Sequence, residues 1–153
     1  MEYISQGVSK EGCFICDAAA SEDDEANLVI GRTEQCIVLL NKYPYNTGHL
    51  IVSTRRHVGD ITELNQAERD EVMDLTVRSV EQISSEMQPH GFNLGANLGD
   101  VAGAGLPGHF HMHVVPRWTG DTNFMPVVGD AKVLPELLEE TFRKLQGKLG
   151  PQP

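Results

Sequence analysis

The run Gly108-His109-Phe110-His111-Met112-His113-Val114-Val115-Pro116-Arg117 places three of the chain's six histidines at alternate positions. A β-strand turns successive side chains to opposite faces, with a period of two. As a strand, the run therefore sets His109, His111 and His113 on one face and points Phe110, Met112 and Val114 into a core. Neighbouring imidazoles on that face stand roughly 6.5–7 Å apart, from about 3.3 Å of rise per residue. Such a row suits a metal ion or a chain of phosphates. One small tetrahedral ion is poorly served by all three, because i, i+2, i+4 spacing is too stretched for its bonds. The three rings are expected to divide their work.

Composition narrows the classes of partner. The chain has 153 residues, of which 40% are hydrophobic and 22% charged. That is ordinary globular composition, and a single domain over residues 1–153 is expected. A net charge of −10 argues against a nucleic-acid backbone as partner. It leaves room for a small anion held locally, with Lys42, Arg55, Arg56 and Arg117 as candidate cations. No apolar run approaches the length of a membrane span, so no membrane partner is expected. Met1 to Gly12 lacks the basic start and apolar stretch of a signal peptide, so a cytoplasmic location is expected.

The three cysteines form an odd set, which argues against a disulfide framework. Cys36, inside Cys36-Ile37-Val38-Leu39-Leu40, reads as a small buried hydrophobe. Cys13 and Cys16 make a C-x₂-C pair, the natural bite for half of a tetrahedral zinc site. With no second such pair, the other two ligands must come from elsewhere.

Periodicity and breakers predict an α+β arrangement. After a polar lead-in over 1–12, a short helix follows the C-x₂-C turn, then an acidic loop at Glu22-Asp23-Asp24-Glu25. Strands are expected at 27–32, 35–41, 49–54 and 92–98, with the histidine run as the fifth. Between them lie a turn-rich loop at 42–48 and a glycine-rich loop from Gly99 to Gly108. A long helix spans about 65–88: Asn65 and Glu68 form a capping-box pattern, and Pro89 with Gly91 stops it. Val72, Leu75, Thr76, Val80, Ile83 and Met87 make its apolar stripe, and Met73 is read with Met87 as core. His90 is read as a cap, and a second helix is expected at about 135–148. Helices on a mainly antiparallel sheet define the class.

The histidine run resembles the His-φ-His-φ-His-φ-φ motif (φ apolar) of the histidine-triad (HIT) family of nucleotide hydrolases and transferases. Asn41-Lys42-Tyr43-Pro44-Tyr45-Asn46-Thr47-Gly48-His49 resembles that family's Asn-x-x-Pro-x-x-x-Gly-His block. The resemblance covers residues 13–118. It implies a HIT-like fold of about five antiparallel strands, a homodimer, a small nucleotide as substrate and no organic cofactor. It further implies that His111 attacks an α-phosphorus while its other ring nitrogen donates to a backbone carbonyl of its own strand. His113 would meet the phosphate or the leaving oxygen, and His49 would lie behind and orient the triad. Asn41 matches the ribose-binding position, and Asn97 is a candidate phosphate partner.

Some branches of the family carry the C-x₂-C pair and complete a structural zinc site with histidines at the positions of His57 and His109. Where many members have a hydroxyl residue before the triad, this chain has Ala104-Gly105-Leu106-Pro107-Gly108. Backbone N–H groups at Gly105 and its neighbours are expected to meet phosphate instead. The segment from Pro116 to Phe124 resembles the bacterial subgroup that includes diadenosine tetraphosphate phosphorylases. Trp118 in it can serve either as a base-stacking residue or as a packing anchor. The function implied is cleavage of dinucleoside polyphosphates through a nucleotidyl-histidine, with water or phosphate as acceptor. The alternatives are hydrolysis of nucleoside phosphoramidates or acyl-adenylates, a nucleotide-binding module with little turnover, and a metal-buffering protein.

Overall fold

The computed structural model describes residues 11–122 and 136–151. The lead-in before residue 11, the loop beyond residue 122 and Pro135 lie outside them. Five strands form one antiparallel sheet: β1 (Val29–Arg32), β2 (Cys36–Leu40), β3 (Leu50–Thr54), β4 (Gly91–Gly95) and β5 (His111–Arg117). Their spatial order is β1-β2-β3-β5-β4. Three α-helices complete the described chain: α1 (Phe14–Ala20), α2 (Gln66–Met87) and α3 (Leu138–Leu145).

All five residues of β2 are buried, because both faces of the sheet are covered there. Cys36, Val38 and Leu40 join the core under α2 and α3, with Leu75, Ile83, Phe142 and Leu145. Ile37 and Leu39 face the other way, against Cys13, Ile15 and Ala18 of the α1 segment. Cross-strand pairing carries these faces across to β5. Leu39 pairs with Ile51, which pairs with His113; Ile37 pairs with Ser53, which pairs with His111. The histidines therefore share the α1 face. Phe110 and Val114 sit in the α2 core with Met112 packed against it, as the alternation requires.

The long helix begins at the Asn65–Glu68 capping box and ends at Gln88 in a left-handed cap. Val72, Leu75, Thr76 and Ile83 are buried on its inner face. Met73 corrects the reading of it as core: it is 59% exposed. One residue on from Val72 it is turned about 100° around the axis, out of the stripe. Met87 packs against the core as expected. His90 does not cap the helix; its Nδ1 accepts from the backbone N–H of Thr119 at 2.9 Å. At the far edge, Gly31 leaves room for the chain's end. A Cβ there would lie 2.2 Å from the carbonyl oxygen of Leu149.

Candidate functional site

A relay of three histidines runs into the sheet face from the loop before β3. Gly48, at φ +80°, turns that loop so that His49 enters beneath the strand. His49 is wholly buried. The backbone N–H of Tyr45 donates to His49 Nδ1 at 3.0 Å. A backbone N–H can only donate, so Nδ1 carries the lone pair and Nε2 the proton. His49 Nε2 then donates to His113 Nδ1 at 2.9 Å. That leaves the proton of His113 on its Nε2. Burial, followed by the nearby His111, pushes the His113 pKa down to about 4, so the ring is neutral near pH 7.

His111 is fixed in the opposite sense. Its Nδ1 lies 2.8 Å from the carbonyl oxygen of His109, an acceptor only, so Nδ1 bears the proton and Nε2 the lone pair. The two rings lie edge to face, with centroids 4.9 Å apart. One ring thus offers a nucleophilic nitrogen and its neighbour a hydrogen-bond donor.

Both rings line a cavity of about 630 Å³, of a size that takes small ligands. Its walls include Phe14, Asn27, Leu28, Leu39, Asn41, Lys42, Tyr43, Tyr45, Ile51, Gly105 and Leu106. Asn41 and Gly105, both expected from the sequence, are there. Asn41 Oδ1 accepts from the Tyr43 N–H at 3.0 Å, which shapes the loop. Its Nδ2 lies 3.3 and 3.4 Å from the two ring nitrogens of His49. Asn97 stands apart from the cavity wall, and its amide donates to the Gly103 carbonyl at 3.3 Å.

Of the four candidate cations, only Lys42 lines the cavity. Arg56 is paired with Glu68 at 2.8 Å, and Arg117 with Asp121 at 2.8 Å. Arg55 donates to the Thr33 carbonyl at 3.3 Å. Trp118 also lies elsewhere, lining a second hollow with Thr47, Met87 and Lys144.

A second constellation sits on the same sheet face. Cys13, Cys16, His57 and His109 each offer one ligand atom, all within 4.8 Å of one another. Cys13 Sγ and His109 Nδ1 are 3.2 Å apart, Cys16 Sγ and His57 Nδ1 3.2 Å, and Cys16 Sγ and His109 Nδ1 3.5 Å. The two Nδ1 atoms are 3.2 Å apart. Tetrahedral zinc with bonds of about 2.0 Å to nitrogen and 2.3 Å to sulfur calls for edges of about 3.3 Å and 3.5 Å. The tautomer fits too. His109 Nε2 lies 2.8 Å from the Thr54 carbonyl, which accepts its proton and leaves Nδ1 free to ligate. Burial pushes the pKa of His109 down to about 4, which keeps that lone pair at neutral pH. The residues present fit a Cys₂His₂ zinc site. Cys36 stays outside it as a buried thiol, its pKa pushed up to about 12 by burial and the neighbouring Glu71 and Glu68.

Comparison with known proteins places the chain. The HIT domain family model matches residues 22–120. AP-4-A phosphorylase of Mycobacterium tuberculosis is 45% identical over 130 residues, covering 85% of this chain and 67% of the relative. A zinc-bound histidine triad family protein from Mycobacterium smegmatis superposes with a TM-score of 0.69 at 22% identity, over 90% of this chain and 93% of that one. A HIT family protein from Bacillus anthracis gives a TM-score of 0.62 at 25% identity, over 72% and 76%. This chain belongs to the HIT family. With the relative and the site taken together, it is an enzyme of that family.

Sequence reasoning did not name Phe14, Asn27, Tyr43 or Tyr45 as cavity residues. Phe14 carried a usable signal: its neighbours Cys13 and Cys16, joined to His109, must bring it to β5. Asn27 carried none, because its place depends on how the loop before β1 folds over the sheet.

Proposed function

We propose that this enzyme cleaves dinucleoside polyphosphates, such as diadenosine tetraphosphate, at the α-phosphate through a covalent nucleotidyl-His111. The observation that carries this reading is the paired orientation of His111 and His113. The Nε2 lone pair of His111 attacks the α-phosphorus, and the bond from phosphorus to the bridging oxygen breaks. The Nε2–H of His113 meets the developing charge on that oxygen. The His109 carbonyl supports the imidazolium formed, through the Nδ1–H of His111. In the second half, an acceptor oxygen attacks the same phosphorus, and the P–N electron pair returns to His111 Nε2. Inorganic phosphate is the proposed acceptor. Its support is the 45% identical phosphorylase, together with Lys42 as the cation on the cavity wall.

The cavity walls support a reading of how the rest of the substrate sits. Asn41 is read as the ribose contact. Phe14, Leu28 and Leu106 supply an apolar wall for a base, and Gly105 the backbone approach to phosphate. Asn97 can serve only if its loop shifts toward the cavity, and Trp118 is read as a packing anchor. One structural zinc held by Cys13, Cys16, His57 and His109 would tie the α1 segment to β5. When bound, it supplies cross-linking, not chemistry on the substrate.

A homodimer is supported by β4, an edge strand whose Leu94 is 53% exposed, since such edges invite pairing. The whole chain is read as one HIT domain. Among the described residues no helix is long and apolar enough to cross a membrane. None of the three cysteines is joined in a disulfide, which accords with a reducing, cytoplasmic setting.

Incubation with diadenosine tetraphosphate, with and without phosphate, followed by anion exchange, tests the reading. ADP plus ATP appearing only with phosphate is the expected result. AMP plus ATP regardless of phosphate would make water the acceptor. No cleavage in either case would remove the proposed substrate class.

A further inference from the structure

The cluster and the cavity are neighbours, joined where His109 of the one meets His111 of the other. The ring of His109 faces Cys13, Cys16 and His57, while its carbonyl, 2.8 Å from His111 Nδ1, fixes the nucleophile's tautomer. Its backbone N–H donates to the Leu106 carbonyl at 3.2 Å, and Leu106 lines the cavity. Leu106 also packs against the small core that holds Cys13 and Ile15. From the opposite side, Phe14 lies between the two cysteines in sequence and forms part of the cavity wall. It is 48% exposed, so its ring is only half held by packing, while its helix is seated by the buried Ile15 and Ala18. Cys13, the residue before it, links that ring to the cluster.

We infer that occupancy of the Cys13/Cys16/His57/His109 cluster by zinc and occupancy of the cavity by a nucleotide are energetically coupled, with Phe14 and His109 as the positioning residues. This rests on the nucleotide reading of the cavity and deepens it into a form of regulation. Metal fixes the Phe14 wall and the His109 carbonyl in the arrangement the nucleotide needs. A nucleotide seated against that wall holds the cysteines around the metal. Coupling of this kind is reciprocal, so each ligand tightens the other by the same factor.

The test uses the zinc-loaded chain and AMP as probe. Zinc affinity is measured by equilibrium competition with a chromogenic chelator, with and without saturating AMP. AMP affinity is measured by calorimetry before and after metal removal, at a temperature where the stripped chain keeps its far-ultraviolet circular dichroism. The expected result is roughly a tenfold tightening of zinc binding by AMP and a matching tenfold weakening of AMP binding on metal removal. Phe14→Ala keeps all four metal ligands, and in it both effects should shrink to about twofold. Equal AMP affinity with and without zinc in the folded protein would overturn the coupling, as would failure of the chain to bind zinc. An undiminished effect in Phe14→Ala would overturn the assignment of Phe14. No AMP binding to either form would instead overturn the nucleotide reading beneath it.

Discussion

His109 and His111 stand two residues apart, the first just before β5 and the second at its start, yet their rings are set in opposite senses. His109 gives its Nε2 proton to the Thr54 carbonyl and presents Nδ1 to two cysteines and a histidine. His111 gives its Nδ1 proton to the His109 carbonyl and presents Nε2 to an open cavity. The residue type is the same; the carbonyl each ring meets decides which nitrogen is free. On the proposed reading, the imidazole beside thiols is the metal ligand, and the one beside a cavity and a donor histidine is the nucleophile.

The largest effect that sharpens this contrast comes from the cavity side. His111→Ala should lower turnover at least a thousandfold, by order of magnitude, while AMP affinity changes little. Comparable turnover in that variant would break the division of labour. On the cluster side, replacing Cys13 and Cys16 together with serine should abolish zinc binding, measured by metal analysis. It should also lower the melting temperature by roughly 10 °C or more. An unchanged melting temperature would mean that the cluster is not a structural anchor.

A smaller effect is expected at His49. Its replacement by alanine frees His113 to take either tautomer, and turnover should fall about a hundredfold with AMP affinity retained. Nitrogen-15 spectra of the labelled histidines should show His113 protonated on Nε2 in the parent protein and mixed tautomers in the variant.

The smallest effect is a pH dependence. His113 has a folded pKa of about 4, below its ordinary 6.5, so over that interval the unfolded chain binds the extra proton. Its contribution to stability is therefore present above about pH 6.5 and is lost as pH falls toward 4. Melting temperatures recorded between pH 7.5 and 4.5 should decline across that window, and His113→Gln should flatten part of the decline.

Much of this arrangement was legible in the residues themselves. Period-two spacing alone puts His109, His111 and His113 on one face and Phe110 and Val114 in the core. Asn65 and Glu68 announce the start of α2, and the spacing of Cys13 and Cys16 announces half of the Cys/His cluster. The tautomers were not legible in full, because the Tyr45 N–H and the Thr54 carbonyl reach their histidines only through tertiary folding. Met73 misled because a methionine one residue off an apolar stripe looks apolar in sequence and is turned outward in space. Nearness to the motif along the chain did not carry the Asn97 side chain to the wall of the cavity where His111 and His113 point, and of the two readings of Trp118 its place outside that wall favours the packing anchor.

A reaction that runs in two displacements through His111 leaves its record in the stereochemical course at the α-phosphorus, read with a substrate made chiral there with sulfur and oxygen isotopes. Two in-line displacements, onto His111 and then onto the acceptor, predict overall retention of configuration. Inversion would show a single direct transfer and contradict the nucleotidyl-histidine.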